Sequence, residues 1–171
     1  FSGSLKEFVS ISVTGNNCAL NCEHCNTKML DNMLDLPAFK GRLFDMAKSL
    51  QENGAKGILV SGGSNIRNQV PLLPHIDDMK RIRKELGMVI RVHPGLPDEE
   101  TCSALSDLDV DGVMLDIIGD QETISDVYHL DAIPKDYEVV LERLDRHGIP
   151  VIPHIVLGHY FGKMNGEWAA L

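Results

Sequence analysis

Five short β-rich runs, each closed by glycine or a polar cluster and each followed by residues at helical spacing, limit what this chain can become. Strands alternating with helices in this way build a parallel sheet of βα units. The runs are Phe8–Val13, Gly57–Val60, Met88–Val92, Gly112–Leu115 and Val151–Val156. After the first, helical periodicity starts near Leu36 or Pro37 and carries Phe39, Leu43, Met46, Ala47 and Leu50. Ile76, Met79, Ile82 and Leu86 form a second apolar face up to Gly87. A third helix is predicted from Pro97 to Leu108, and Tyr137, Val140, Leu141 and Leu144 line a later one that Gly148 closes. Glu122–Tyr128 reads as a helical turn and Glu167–Leu171 as a helix start. The expected fold class is α/β, a parallel βα partial barrel of TIM-like type with five units. No sixth strand follows Val156, and the chain starts at Phe1 rather than Met. That start, with an end at Leu171 just after a helix start, makes residues 1–171 one expected core domain of a longer chain.

Composition narrows the function classes. With 171 residues, 43% of them hydrophobic, the chain can bury a real core. No apolar run approaches the roughly 18 residues of a membrane span, and no secretory signal opens the chain, which reads as cytoplasmic. The formal charge of -9, from 16 basic against 25 acidic residues, disfavours duplex DNA or an anionic membrane as partner. Four cysteines are too few for a disulfide scaffold, and three of them, Cys18, Cys22 and Cys25, crowd into one loop after the first strand.

The spacing CxxxCxxC lets a short loop wrap three thiolates around a compact metal centre. A [4Fe-4S] cluster ordinarily takes four cysteines, so three leave one iron open to a non-protein ligand. Zinc with His24 as fourth ligand is the alternative, although structural zinc sites usually pair two separated ligand doublets. Ligands of parallel βα folds sit at the C-terminal ends of the strands, and the other unusual residues lie there: Ser61-Gly62-Gly63-Ser64, His93, Asp116, His154 and Gly158. Arg91 shares a strand face with His93 and can clamp a carboxylate or phosphate, or pair with an acid of the chain. Cys102 recurs with Leu105 and Leu108 at helical spacing and reads as a buried thiol. Asp120 reads as a helix cap.

The cysteine spacing on the loop after the first strand resembles the radical S-adenosylmethionine (SAM) superfamily. The resemblance implies that Cys18, Cys22 and Cys25 hold a [4Fe-4S] cluster whose open iron binds the amino and carboxylate groups of SAM. Electron transfer then cleaves SAM to methionine and a 5'-deoxyadenosyl radical that abstracts a substrate hydrogen. His24 occupies the place of an aromatic residue near adenine. Ser61-Gly62-Gly63-Ser64 looks like the glycine-rich motif that approaches the methionine end of SAM, with Ser64 where Glu is frequent; a turn alone also uses two glycines. Asp116 can accept hydrogen bonds from ribose hydroxyls, as an Asp near this strand end does in the biotin synthase subgroup, or can cap a helix or order a loop. Pro153–Gly158 resembles the segment that contacts adenine, with His154 pointing inward or packed as a core histidine. The superfamily's usual six-stranded core implies that the chain is cut before strand six, with an exposed barrel edge that makes this span less stable alone.

Ile11–Gly15, the cysteine loop, the Ser-Gly-Gly turn and Asp126–Asp131 together resemble a narrower group. These are archaeal and bacterial proteins related to biotin synthase, including a two-component lipoyl synthase. That resemblance implies sulfur insertion, for which an auxiliary cluster needs ligands beyond the lone remaining Cys102. Implied partners are a reduced ferredoxin or flavodoxin, a partner subunit, and a small-molecule or carrier-protein substrate; an exposed cluster implies oxygen sensitivity. The competing class is noncatalytic: an iron–sulfur electron carrier or a zinc-stabilised βα module.

Overall fold

The computed structural model describes residues 7–171. One sheet of six strands runs through it, β1 (Phe8–Ser12), β2 (Leu34–Asp35), β3 (Gly57–Ser61), β4 (Val89–Val92), β5 (Gly112–Asp116) and β6 (Val151–His154). All pairs are parallel and the order is β2-β1-β3-β4-β5-β6. Between the strands lie α1 (Leu36–Phe39), α2 (Leu43–Glu52), α3 (Ile76–Arg81), α4 (Glu99–Leu108) and α5 (Pro134–Arg146), and α6 (Glu167–Ala170) follows β6. This is the expected open, TIM-like arrangement of five βα units.

The sixth strand is one that periodicity did not reveal. Leu34–Asp35 returns from the cysteine loop and pairs with Ile11 and Ser12 at the sheet edge. Two residues are too few to show alternation. Asp35 then caps α1, its carboxylate accepting from the Ala38 amide at 2.8 Å. The single helix predicted from Leu36 breaks at Lys40, which adopts a left-handed conformation with φ 53°, before α2 begins. The last strand ends at His154 rather than Val156. Pro153 lacks an amide donor, and its strand occupies the opposite sheet edge, where that lack is tolerated.

Strand alternation sorts the sheet into two faces. Ile11, Ile58, Val60, Ile90, Val92, Val113 and Leu115 are buried beneath the helices. Leu43 and Ala47 of α2, Met79 of α3, Cys102 and Leu105 of α4, and Leu144 of α5 join the same core, all fully buried. Burying such side chains contributes about 1.5–3 kcal/mol each, so this face fixes the sheet. The opposite face carries Ser12, Ser61, His93, Asp116 and His154 toward the C-terminal strand ends. Arg91 lies lower on that face, its guanidinium 5.4 Å from the centre of the Phe8 ring, which accounts for it without a ligand. No helix among the described residues is long and apolar enough to cross a membrane.

Candidate functional site

The cysteine loop is held to the strand ends by its backbone. The Val13 amide donates to the Ser61 carbonyl at 2.8 Å, and the Ala19 amide to that of Ser64 at 2.8 Å. The Gly63 amide donates to the Thr14 hydroxyl at 2.7 Å. Farther along, the Glu23 amide donates to the Val127 carbonyl at 2.9 Å, and the Cys22 thiol to the Tyr128 carbonyl at 3.7 Å. Asp126–Asp131, singled out in the sequence only by resemblance, thus holds the loop from the far side. Asn21, Asn26 and Thr27 carry positive φ of 47°, 45° and 62°. For the β-branched Thr27 this is an unfavourable conformation that surrounding structure must impose.

The glycine pair has a spatial reason. Neither Gly62 nor Gly63 adopts positive φ. A Cβ on Gly63 would overlap the Asn17 carbonyl oxygen and lie 2.6 Å from Cys18 Cβ; one on Gly62 would lie 2.9 Å from the Thr14 hydroxyl. The close approach that glycine allows is made first by the chain's own cysteine loop.

Cys18, Cys22 and Cys25 are free thiols lining a cavity of about 300 Å³. Its other walls include His24, Ser61, Gly62, Gly63, Ser64, Asp116 and His154. Gly158 is the one candidate outside this cavity. It lines an adjoining space of about 660 Å³ that shares His24, Asp116 and His154, and together the two match the size of ligand pockets. Burial and the two neighbouring thiols push Cys22 up to about 12, and burial raises Cys25. Without a cation these thiols stay protonated, whereas a metal centre stabilises the thiolates.

The His24 ring packs 4.7 Å from Tyr128 and 4.5 Å from His159, centre to centre. Burial, with His159 beside it, pushes His24 down to about 4, so its ring is neutral at neutral pH. Asp116 ends β5 between two imidazoles: His93 Nε2 lies 3.5 Å from Oδ2 and His154 Nδ1 3.7 Å from Oδ1. Burial raises the Asp116 carboxyl, but the neighbouring imidazoles of His93 and His154 outweigh it and hold the group below its ordinary value. Asp116 caps no helix. Asp120 does, accepting from the Thr123 amide at 2.7 Å, and Cys102 is buried in α4 away from the cavity.

Sequence reasoning missed Tyr128, His159 and Glu167. Tyr128 fitted an ordinary helical pattern, and His159 followed a glycine noticed for its backbone. The buried Glu167 accepts from the Gly158 amide at 2.8 Å and the Asn165 amide at 2.5 Å, closing the loop beside the second space. The Gly166-Glu167 step before an apolar run was its only signal.

The donor set separates a cluster from a single ion. Three thiolates on one zinc, bonded at 2.3 Å in a tetrahedron, sit about 3.8 Å apart. Among the described residues, the set of three potential ligands with donor atoms all within 4.8 Å of one another is His93, Asp116 and His154, not the cysteines. Thiols more widely spread around one cavity fit a polynuclear centre.

Comparisons with known proteins agree with this arrangement. No curated protein matches the chain. Among solved structures, methylornithine synthase (PylB) superposes with TM-score 0.64 at 16% identity, over 88% of this chain and 44% of its own. HydG, a maturase of the [FeFe]-hydrogenase, gives 0.64 at 18% over 95% and 36%, and anSMEcpe with bound AdoMet 0.59 at 14% over 92% and 46%. The chain thus spans less than half the length of each. The family model of the radical SAM superfamily, whose members use a [4Fe-4S] cluster and SAM, matches residues 12–166, from the end of β1 to the residue before Glu167. With that match spanning the cysteine loop and every strand end around the cavity, the chain belongs to the radical SAM superfamily.

Proposed function

We propose that this chain cleaves SAM reductively to begin radical chemistry on a substrate, with Cys18, Cys22 and Cys25 as the cluster ligands. The observation that carries the reading is three free thiols lining one cavity at the strand ends of a radical SAM fold. When bound, the cluster supplies an electron to the sulfonium of SAM and so a 5'-deoxyadenosyl radical. The protein's own part is to hold and shield. Ser61–Ser64 lines the cavity beside Cys18, where the methionine end would rest, and its glycines keep the wall thin. His24, neutral and packed on Tyr128, offers a flat face to adenine, and the Pro153–Gly158 segment borders the same space.

Electron supply from a reduced ferredoxin or flavodoxin, a reducing cytoplasm and oxygen sensitivity follow from this reading. Sulfur insertion of the lipoyl or biotin kind is the substrate reaction that the narrower resemblance favours. Cys102, buried in α4, offers no auxiliary ligand, so a sulfur donor would come from a partner subunit or from residues outside these 171. The test is anaerobic reconstitution followed by electron paramagnetic resonance of the reduced protein with and without SAM. A [4Fe-4S] signal that SAM changes supports the reading. A signal indifferent to SAM indicates an electron carrier, and bound zinc without iron indicates a structural module.

A further inference from the structure

A second cluster of metal-ligand groups stands apart from the cysteines. His93 follows β4, Asp116 ends β5 and His154 ends β6, so three neighbouring strands deliver two imidazoles and a carboxylate to one level of the cavity wall. Their donor atoms lie within 4.8 Å of one another. The imidazole rings are nearly parallel, 23° apart, with centres 6.5 Å from each other and the carboxylate between their nitrogens.

The spacings favour a bridging ion over direct contact. At 3.5 and 3.7 Å the two imidazole–carboxylate approaches exceed the usual length of charge-assisted hydrogen bonds, about 2.7–2.9 Å. Ligands bonded at about 2.0–2.2 Å to one transition ion stand about 3.0–3.5 Å apart, so a slight contraction of this set would close it on a metal. Among the described residues, no Lys or Arg forms an ion pair with Asp116. The groups facing its oxygens are thus the two imidazoles, which in their neutral form are metal ligands themselves.

The geometry points to a divalent transition-metal site formed by His93, Asp116 and His154, with open coordination positions turned into the cavity that the cysteines line. Two histidines and one carboxylate are the donor set of mononuclear iron(II) sites, and of catalytic zinc sites that keep a position free. Its consequence is a substrate class: molecules offering an oxygen or sulfur donor, such as a carboxylate or thiolate, held by the ion beside the place where SAM is proposed to bind. Metal binding itself does not rest on the proposed function; only this use of it does.

Cobalt(II) is the probe. In a protein carrying Cys18→Ala, Cys22→Ala and Cys25→Ala, the cluster cannot form and visible d–d bands report this site alone. One equivalent of cobalt is expected to produce such bands without thiolate charge transfer, and Asp116→Asn or His154→Gln to weaken binding by roughly 100-fold. Circular dichroism checks the fold of each variant. If the cysteine variant does not fold, the reconstituted protein with its cysteines intact is examined by iron-57 Mössbauer spectroscopy for a high-spin iron(II) doublet beyond the cluster. Zinc and iron are then distinguished by metal analysis of the purified protein. Absence of cobalt bands in a folded cysteine variant, binding unchanged by Asp116→Asn, or no extra iron or zinc in the reconstituted protein overturns the site. Cobalt binding in the cysteine variant, together with failed cluster assembly in the protein with its cysteines intact, would leave the site standing and remove the proposed SAM cleavage.

Discussion

Gly63→Ala should loosen the cysteine loop while leaving the sheet in place. The new Cβ would lie 2.6 Å from Cys18 Cβ and overlap the Asn17 carbonyl, whereas carbon atoms rest at about 3.5–4.0 Å. The loop must therefore retreat by about 1 Å. That motion pulls on the hydrogen bonds from Gly63 to Thr14 and from Ala19 to Ser64. Overpacking of this kind costs about 1–3 kcal/mol. For a chain of this size the melting midpoint should fall by about 2–12 °C. Gly62→Ala makes the internal comparison, since its nearest neighbours are the Thr14 hydroxyl at 2.9 Å and the Thr14 and Val13 backbone nitrogens at 3.3 Å, each a shallower overlap than at Gly63. It should cost less. Because neither glycine has positive φ, the difference isolates space from backbone strain. Thermal and urea melts of both variants, with alkylation rates at Cys18, measure the effect. The reasoning is refuted if Gly63→Ala matches the parent in midpoint, slope and alkylation, or if Gly62→Ala is the more damaging.

Cys22→Ala should abolish stable cluster loading while Cys102→Ala retains it, read by iron and sulfide content after reconstitution; equal loading in both would reject the ligand assignment. Asp98 caps α4 by accepting from the Thr101 amide at 2.9 Å, and that bond, with the Thr101 hydroxyl, holds its carboxyl below the ordinary value. The cap's stabilisation is thus complete above the unfolded carboxyl's pKa and is lost as pH falls through the lower folded value. Asp98→Ala should cost about 1 kcal/mol at neutral pH and Asp98→Asn much less, the latter with a shallower acid dependence in urea melts; equal loss in both would argue against the cap. The buried Tyr137 hydroxyl has no hydrogen-bond partner among the described residues, so Tyr137→Phe should leave stability unchanged or raise it by about 1 kcal/mol, and a marked drop would reveal a hidden partner. Glu167→Ala should speed proteolysis between Gly158 and Asn165, and an unchanged digestion rate would show that the loop holds without the carboxylate.

The sheet was readable because burial repeats itself. Ile58 and Val60, or Val113 and Leu115, announce strands through a pattern that any βα unit must satisfy. Leu34–Asp35 has too few residues for a pattern, and the break at Lys40 depends on a single left-handed residue inside an otherwise periodic stretch. The site was readable in part for a different reason. Three cysteines at fixed spacing constrain one another within a single loop. His93, Asp116 and His154 belong to separate strands, and their meeting depends on register: Asp116 pairs with His154, while Arg91, two residues before His93, pairs with Gly112. Tyr128 and His159 meet His24 only through loops, whose paths periodicity does not describe.

The glycine pair shows why spacing and role separate. Its position after the second predicted strand suggested an approach to SAM, yet its first neighbours are Asn17, Cys18 and Thr14 of the same chain. The two readings join mechanically. A thin wall at Gly62-Gly63 lets the cysteine loop settle against β3, and that contact, with the bond from Glu23 to Val127 on the other side, sets where the thiols face before any ligand arrives. The thiols are thus placed by backbone clasps together with the Thr14 hydroxyl. Conservative substitutions around the loop should then be tolerated, while any atom added between the loop and β3 is felt at Cys18.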